Sequence, residues 1–122
     1  MDQQHSAYLA GKTFCLFSPQ SQQNWIVDSG ATDHITPHLH LFHSFSPMAK
    51  VCSIIMPNGK QVAVKHVGTV VLHPNIILQD VLHIPDFQFN LLSASKLAKQ
   101  LSCSVVFTAT SCYLQDHLRS RQ

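Results

Sequence analysis

The chain has 122 residues, is 45% hydrophobic and carries a net charge of +2, so its length fits one domain with its own core. Only 11% of its residues are charged, against about 25% in typical soluble domains. A surface covered in a dimer, or by the rest of a longer chain, would account for this low charge. The small net charge and the lack of a Lys/Arg cluster argue against direct binding to nucleic acid or membrane.

The four cysteines stand at positions 15, 52, 103 and 112, and no two of them form a C-x-x-C pair. The spacing therefore does not fit a zinc knuckle or a zinc ribbon. The amino-terminal residues lack the charged start and apolar run of a signal peptide, and no apolar run is long enough to span a bilayer. We therefore expect reduced thiols and an intracellular, cytoplasmic location.

Residues 1–23 are rich in Gln and Ser and are predicted to form a flexible linker or tail. A short apolar island at residues 14–17 could instead form an edge strand, but disorder is the favoured interpretation. The folded domain is predicted to span residues 24–118, and residues 119–122 to form a second tail.

Three large apolar residues, Trp25, Ile26 and Val27, run directly into Asp28, Ser29 and Gly30. The apolar residues predict a buried strand, and the Ser-Gly pair predicts a tight turn after it. One carboxylate would then be held at the end of a rigid strand, as a catalytic group requires. The alternative is an ordinary surface turn.

A hairpin is predicted in the middle of the chain. Pro37 ends a short strand, residues 38–47 are predicted to form a loop, and residues 51–56 a strand. Asn58 and Gly59 then mark a turn, because Asn-Gly between apolar runs is the strongest short-range hairpin signal. The alternation of residues 61–65 predicts the returning strand, with one wetter face.

Three further strands are predicted at residues 68–72, 76–78 and 81–84. A helix is predicted to begin near Ser93, because residues 94, 97, 98 and 101 form one apolar stripe. Strands are predicted again at residues 103–107 and 112–114. So many short strands with one helix predict an all-β domain, either a barrel or a sandwich.

Four histidines, His34, His38, His40 and His43, are close enough in sequence to suggest a metal site. Their spacing matches no common zinc motif, and no cysteine pair accompanies them. We therefore expect no metal, and interpret these residues as histidines on the rim of a loop.

Residues 25–35, with the order Trp-Ile-Val-Asp-Ser-Gly-Ala-Thr-Asp-His-Ile, closely resemble the protease of copia-type LTR retrotransposons. Aspartic proteases carry Asp-Thr-Gly or Asp-Ser-Gly after hydrophobic residues, commonly followed by Ala. Residues 80–87, leading into 90–97, resemble the segment that closes the same domain. The two stretches occur in the family's order, and the resemblance covers about residues 24–115.

This resemblance implies a retropepsin-like closed barrel with a flap hairpin and one short C-terminal helix, assembled as a two-fold homodimer. It assigns Asp28 as the catalytic residue, and Ser29, Gly30 and Ala31 as the active-site turn. The chain has a single Asp-Ser-Gly, so a monomer holds only half of a two-carboxylate site. A second copy would supply the other Asp28 across the symmetry axis.

The resemblance further implies that Asp33, Asn58 and Gly59 contact a polypeptide substrate. Ser93 stands where related enzymes place a Gly, which copia-type sequences usually replace in this way. No cofactor is implied, because a water molecule is the attacking group.

The implied function is that of an aspartic endopeptidase that processes a gag-pol polyprotein, associated with virus-like particles. One alternative is a catalytically inactive barrel of retrotransposon origin that serves as an assembly or interaction module. A weaker alternative is a metal- or nucleic-acid-binding module built on the His-rich loop.

Overall fold

The computed structural model describes residues 13–17, 25–56, 58–109 and 111–116. These residues are mostly β-structure, with a 3-10 turn at Leu39–Leu41 and an α-helix, α1, at Ala94–Leu101. The strands are β1 Thr13–Phe17, β2 Trp25–Asp28, β3 Ile35–Thr36, β4 Phe42–Ile55, β5 Gln61–His73, β6 Ile76–His83, β7 Asn90–Ser93, β8 Cys103–Phe107 and β9 Cys112–Asp116.

The strands form two sheets, with the orders β2-β7-β3-β6-β5-β4 and β1-β9-β8. Strand β2 runs parallel to β7, and β3 runs parallel to β6, whereas β5 pairs antiparallel with both β4 and β6. The expectation of a mostly β domain with one short helix is confirmed. The expectation of a closed barrel is wrong for the described part of the chain, because β2 and β4 end the larger sheet and do not pair with each other.

The hairpin of β4 and β5 is longer than the sequence predicts. The loop predicted at residues 38–47 is wrong from Phe42 onward, where the chain enters β4 and pairs with β5 through contacts such as Ser46 opposite Val67. Ser and His are not among the residues enriched in strands and Pro is depleted there, but cross-strand pairing overrides their weak propensity here. The register shifts between Pro47 and Cys52, at the point where Pro47 has no N–H to donate.

Strands predicted as separate pieces also merge. Residues 61–65 and 68–72 lie in the single strand β5, and residues 76–78 and 81–83 lie in β6. Asp80 lies between two of the predicted strands, but in the structure it continues β6 with a left-handed φ angle of 54°.

The N-terminal segment that the sequence predicts to be a tail contains strand β1, which pairs antiparallel with β9. The edge-strand alternative therefore describes residues 13–17 better than disorder does. The rest of the predicted tails, at residues 1–12, 18–23 and 119–122, lies outside the described residues.

The buried side chains form two clusters. The larger cluster joins both sheets and the helix, and includes Trp25, Leu92, Leu97 and Leu114. The smaller cluster lies between the hairpin and the centre of the sheet, and consists of Ile35, Val62, Val64 and Ile84 with half-buried neighbours. Trp25 is only 1% exposed, so the strand that ends in Asp28 is anchored in the larger cluster.

Helix α1 forms as the sequence predicts. The Ser93 hydroxyl accepts a hydrogen bond from the Lys96 N–H at 3.2 Å and so caps the first turn. Ala94 and Leu97 are buried on the apolar stripe, and the helix ends at Ser102, which takes a left-handed angle of 53°. The helix begins directly where β7 ends, so its first turn lies beside Asp28.

Gly68 is required where β5 pairs with β4 opposite Phe45. A Cβ atom at this position would overlap the Ser44 carbonyl oxygen and lie 2.7 Å from Phe45 Cα, both of which belong to the β4 backbone. Since backbone atoms cannot rotate away, we expect Gly68→Ala to force the strands apart and destabilise the fold by roughly 2 kcal/mol or more. Urea unfolding followed by circular dichroism measures this loss.

Gly30→Ala is the matched control, because its Cβ would meet only Asp28 Oδ1 at an ordinary 3.5 Å. Its unfolding free energy should stay within about 1 kcal/mol of the wild-type value. Equal losses in the two variants would contradict the crowding argument.

Candidate active site

Asp28 is the last residue of β2 and lies opposite Ser93, the last residue of β7. The parallel pairing of these two strands brings the ends of both to the same edge of the sheet. Asp28 is partly exposed, while Trp25 at the other end of β2 is buried. The prediction of a carboxylate presented at the end of an anchored strand therefore agrees with the position of Asp28.

A tight turn follows Asp28, as predicted, with Ser29 and Gly30 exposed. The Gly30 N–H donates a hydrogen bond to Asp28 Oδ1 at 2.7 Å, which orients the carboxylate. Gly30 does not take a left-handed φ angle, so the backbone conformation of this turn does not require glycine. A Cβ atom at position 30 would also fit, because within this chain it would meet only Asp28 Oδ1 at 3.5 Å.

Ser93 ties the turn to the rest of the domain. Its hydroxyl donates to the Ala31 carbonyl oxygen at 2.6 Å while it accepts the capping bond from Lys96. Ser95 makes a longer contact, 3.4 Å, with the same carbonyl. A glycine at position 93 could make neither hydroxyl bond, so the serine adds a link that the sequence comparison with Gly-containing enzymes did not predict.

His34 is fully buried, so its interpretation as a rim histidine is wrong. Its Nδ1 accepts a hydrogen bond from the Ser93 N–H at 3.0 Å, and its carbonyl accepts one from the Leu82 N–H at 2.9 Å. Since Nδ1 is an acceptor, the ring is neutral and carries its proton on Nε2. Burial lowers the pKa of His34 to about 4, and nearby Lys96 adds to this effect against the weaker opposite influence of Asp33 and Asp80.

Asp33 faces the helix as well as the solvent. Its carboxylate accepts from the Thr32 hydroxyl at 3.0 Å and lies 3.7 Å from Lys96 Nζ. Lys96 Nζ also donates to the Asp80 carbonyl at 3.0 Å. Asp33 thus has an ion-pair partner within its own chain, and its contact with substrate stays a prediction.

Asn58 and Gly59 form the hairpin tip, as predicted. Gly59 has a left-handed angle of 85°, and the Asn58 side chain accepts from the Lys60 N–H at 2.8 Å. A cavity of about 200 Å³ lies between this tip and the chain after β6, with Asn58, Met56, Phe87 and Phe89 among its lining residues. Asn58 therefore lies at a cavity, whereas Gly59 does not line it and Asp28 does not reach it.

A larger cavity of about 270 Å³ lies between β2 and the β8–β9 hairpin. It is lined mainly by Trp25, Ile26 and Val27 and by the end of the β8–β9 hairpin around Phe107. Neither Asp28 nor any residue of the turn after it lines this cavity, so the cavity is not part of the predicted site.

The other three histidines do not gather around His34. His38 and His40 are exposed with ring centroids 5.5 Å apart, and His43 is exposed on β4. Across the described ranges, no group of three or more His, Cys, Asp or Glu side chains is placed to hold a metal ion. No α-helix in the same ranges has the length and apolar character to span a membrane.

Comparison with known proteins identifies the family. The family model described as "Pol polyprotein, beta-barrel domain" matches residues 25–101, which is more than half of the chain and includes the Asp28 turn and α1. The chain belongs to the Pol polyprotein beta-barrel domain family. The larger sheet of this chain is open, although the family is described as a β-barrel domain.

Three relatives of this Pol domain are retrovirus-related Pol polyproteins. That from transposon RE1 of Arabidopsis thaliana is 30% identical over 104 residues, covering 83% of the chain. That from transposon RE2 of the same plant is 29% identical over 102 residues, covering 81%. That from transposon TNT 1-94 of Nicotiana tabacum is 28% identical over 87 residues, covering 68%.

The Pol domain spans only 6–7% of the length of these polyproteins. No solved structure matches it. These likenesses support a retrotransposon Pol region, in agreement with the copia-type resemblance of residues 25–35. The description of the family model names a β-barrel domain rather than a peptidase.

We expect Ser93→Ala to destabilise the Pol domain by about 1–3 kcal/mol. The substitution removes the helix cap and leaves the Ala31 carbonyl without its 2.6 Å donor. Ser95→Ala is the control, since its contact with Ala31 is long and its side chain is exposed. Urea unfolding that shows no difference between the two variants would contradict this role of Ser93.

We expect the domain to lose stability as the pH falls from about 6.5 to about 4. The folded-state pKa of His34 lies below its usual value of 6.5, so the unfolded chain binds the proton more tightly in this window. Burial and neighbouring His66 also lower the pKa of His83, which acts in the same direction. The loss from His34 alone approaches about 3 kcal/mol at the acid end.

Urea midpoints measured between pH 7 and pH 4 test this expectation. The slope of stability against pH should be shallower in His34→Asn and unchanged in His43→Asn, which alters an exposed histidine. A slope that is the same in His34→Asn and in the wild type would assign the acid sensitivity to other groups.

Proposed function

We propose that two copies of this domain form an aspartic endopeptidase that cleaves a retrotransposon gag-pol polyprotein. The observation that carries the proposal is Asp28, a carboxylate at the end of an anchored strand with the Gly30 N–H 2.7 Å from its oxygen. This arrangement occurs in a Pol-family domain whose sequence around Asp28 resembles that of copia-type proteases. The proposed enzyme acts inside the cell, in association with virus-like particles.

The chemistry needs two carboxylates that share one proton. Two carboxylates held close together cannot both ionise, so one stays protonated. The ionised carboxylate draws a proton from a water molecule, and the water oxygen attacks the scissile carbonyl. The protonated carboxyl group donates a hydrogen bond to the carbonyl oxygen as negative charge develops on it. The proposal requires no cofactor.

The second carboxylate is proposed to come from a two-fold partner. The sequence has one Asp-Ser-Gly, and Asp28 and Ser29 are at least partly accessible at the edge of the sheet. The exposed Ser29 hydroxyl is free to reach the equivalent turn of a second copy. The open larger sheet, which ends at β2, is also consistent with completion of the architecture by association.

The substrate is proposed to be an extended polypeptide that lies between the hairpin and the Asp28 turn. The cavity of about 200 Å³ at the hairpin tip has room for one side chain of the substrate. It is lined by four apolar residues and four polar ones: Met56, Val62, Phe87 and Phe89, and Asn58, Lys60, Asp86 and Gln88. Asn58 at its rim and Asp33 near the turn are the proposed polar contacts. Gly59 is proposed to let the tip bend over the substrate, because its left-handed angle is one that other residues rarely adopt.

Asp28→Asn tests the proposal. The amide cannot share the proton or activate water, so we expect turnover of a polyprotein fragment to fall by at least about 1,000-fold, with the fold unchanged. A statine-type inhibitor should block the wild-type chain, and sedimentation equilibrium should show a dimer. The measurement is the cleavage rate together with circular dichroism.

Asp80→Asn is the matched control, since it makes the same chemical change at an exposed residue whose left-handed angle of 54° asparagine tolerates. This variant should keep wild-type turnover. Cleavage that persists in Asp28→Asn would overturn the proposal. A wild-type chain that dimerises but never cleaves would support the alternative of an inactive assembly module.

A further inference from the structure

His34 is a polar side chain in an unusual position. It is 0% exposed, and its Nε2 has no hydrogen-bond partner within the described residues. Burying a polar group with an unmade hydrogen bond costs about 1–3 kcal/mol. A leucine would fill a similar space without this cost, so packing alone does not explain a histidine here.

Within the described residues, the His34 side chain makes one hydrogen bond, and its partner is the residue that lies opposite Asp28. Its Nδ1 accepts from the Ser93 N–H at 3.0 Å. Ser93 is the residue opposite Asp28 in the pairing of β2 with β7, and its hydroxyl donates to the Ala31 carbonyl at 2.6 Å. His34 and Ala31 therefore hold Ser93 from both its N–H and its hydroxyl.

The chain around His34 is itself fixed. The His34 carbonyl accepts from the Leu82 N–H at 2.9 Å in β6, and the next residue, Ile35, pairs with Leu82 and Leu91. The loop from Asp28 to His34 is thus attached to β7 through Ser93 and to β6 through the His34 backbone. The ring of His34 bonds to β7 and the backbone of the same residue bonds to β6, so His34 connects the two strands.

We propose that His34 is a positioning residue: its Nδ1 fixes the end of β7, and through Ser93 it sets the place of the Asp28 turn. The consequence for catalysis rests on the proposed function, but the consequence for the geometry of the turn does not. His34 does not touch substrate or the reacting atoms; it acts through Ser93. The required chemical property is an acceptor at the Nδ1 position of a neutral side chain.

This requirement distinguishes two substitutions. Asn places its side-chain oxygen near the position of Nδ1 and can accept from the Ser93 N–H, whereas Leu fills the space and accepts nothing. In the full 122-residue chain we expect His34→Leu to lower kcat at least tenfold with KM changed less than threefold. We expect His34→Asn to keep kcat within threefold of the wild type, even though its smaller side chain leaves a cavity.

A second measurement does not depend on cleavage. In nitrogen-15 NMR spectra, His34→Leu should shift the Gly30 amide proton, which is bonded to Asp28 Oδ1, and speed exchange of the buried Ser93 amide at least tenfold. His34→Asn should preserve both. The Val105 amide in β8 is the internal reference and should be unchanged in a folded variant.

The two measurements separate the possible failures. If the wild type cleaves nothing while the NMR contrast between Asn and Leu holds, the proposed function fails and the positioning role stands. If Leu preserves the Gly30 and Ser93 signals, or if Asn loses them as Leu does in a folded chain, the positioning role is overturned.

Discussion

The end of the sheet that carries Asp28 depends on the hydrogen bonds of one serine. Ser93 ends β7, caps α1 through its hydroxyl, and uses the same hydroxyl to hold Ala31 at 2.6 Å. Its N–H donates a hydrogen bond to Nδ1 of the buried His34 ring. Asp28 lies opposite this residue in the strand pairing, so the carboxylate is placed by a strand, a helix terminus and a buried histidine together.

The hairpin of β4 and β5 forms the other end of the same sheet. Strands β4 and β5 pair closely because Gly68 lets the two backbones approach at Phe45, and the second core cluster fills the space beneath them. Gly59 then allows the reversal at the tip. The strand that ends at Asp28 and the hairpin thus belong to one sheet, in which β7, β3 and β6 lie between them. Family membership in a Pol β-barrel domain is consistent with this arrangement.

Local signals in the sequence predicted much of the fold. The Asp28 turn, the Asn58-Gly59 reversal and the helix capped by Ser93 depend on neighbouring residues, and all three are present. The predictions from sequence were wrong where pairing between strands far apart in the chain decides the structure. Strand β4 begins at Phe42 because β5 lies beside it, and β6 continues through Asp80 despite its turn-like chemistry. The burial of His34 depends on β6 and β7, which the spacing of the histidines does not reveal.

The outer edge of β4 has a consequence for the behaviour of the isolated chain. This 14-residue strand ends the larger sheet, and Val51 and Ile55 are 103% and 74% exposed. A long edge strand with exposed apolar side chains invites cross-β aggregation. Pro47 lacks the N–H that such stacking needs, the register shift after it bends the strand, and Lys50 adds charge beside Val51. The edge is thereby divided into shorter stretches, which reduces the length of strand available for such stacking.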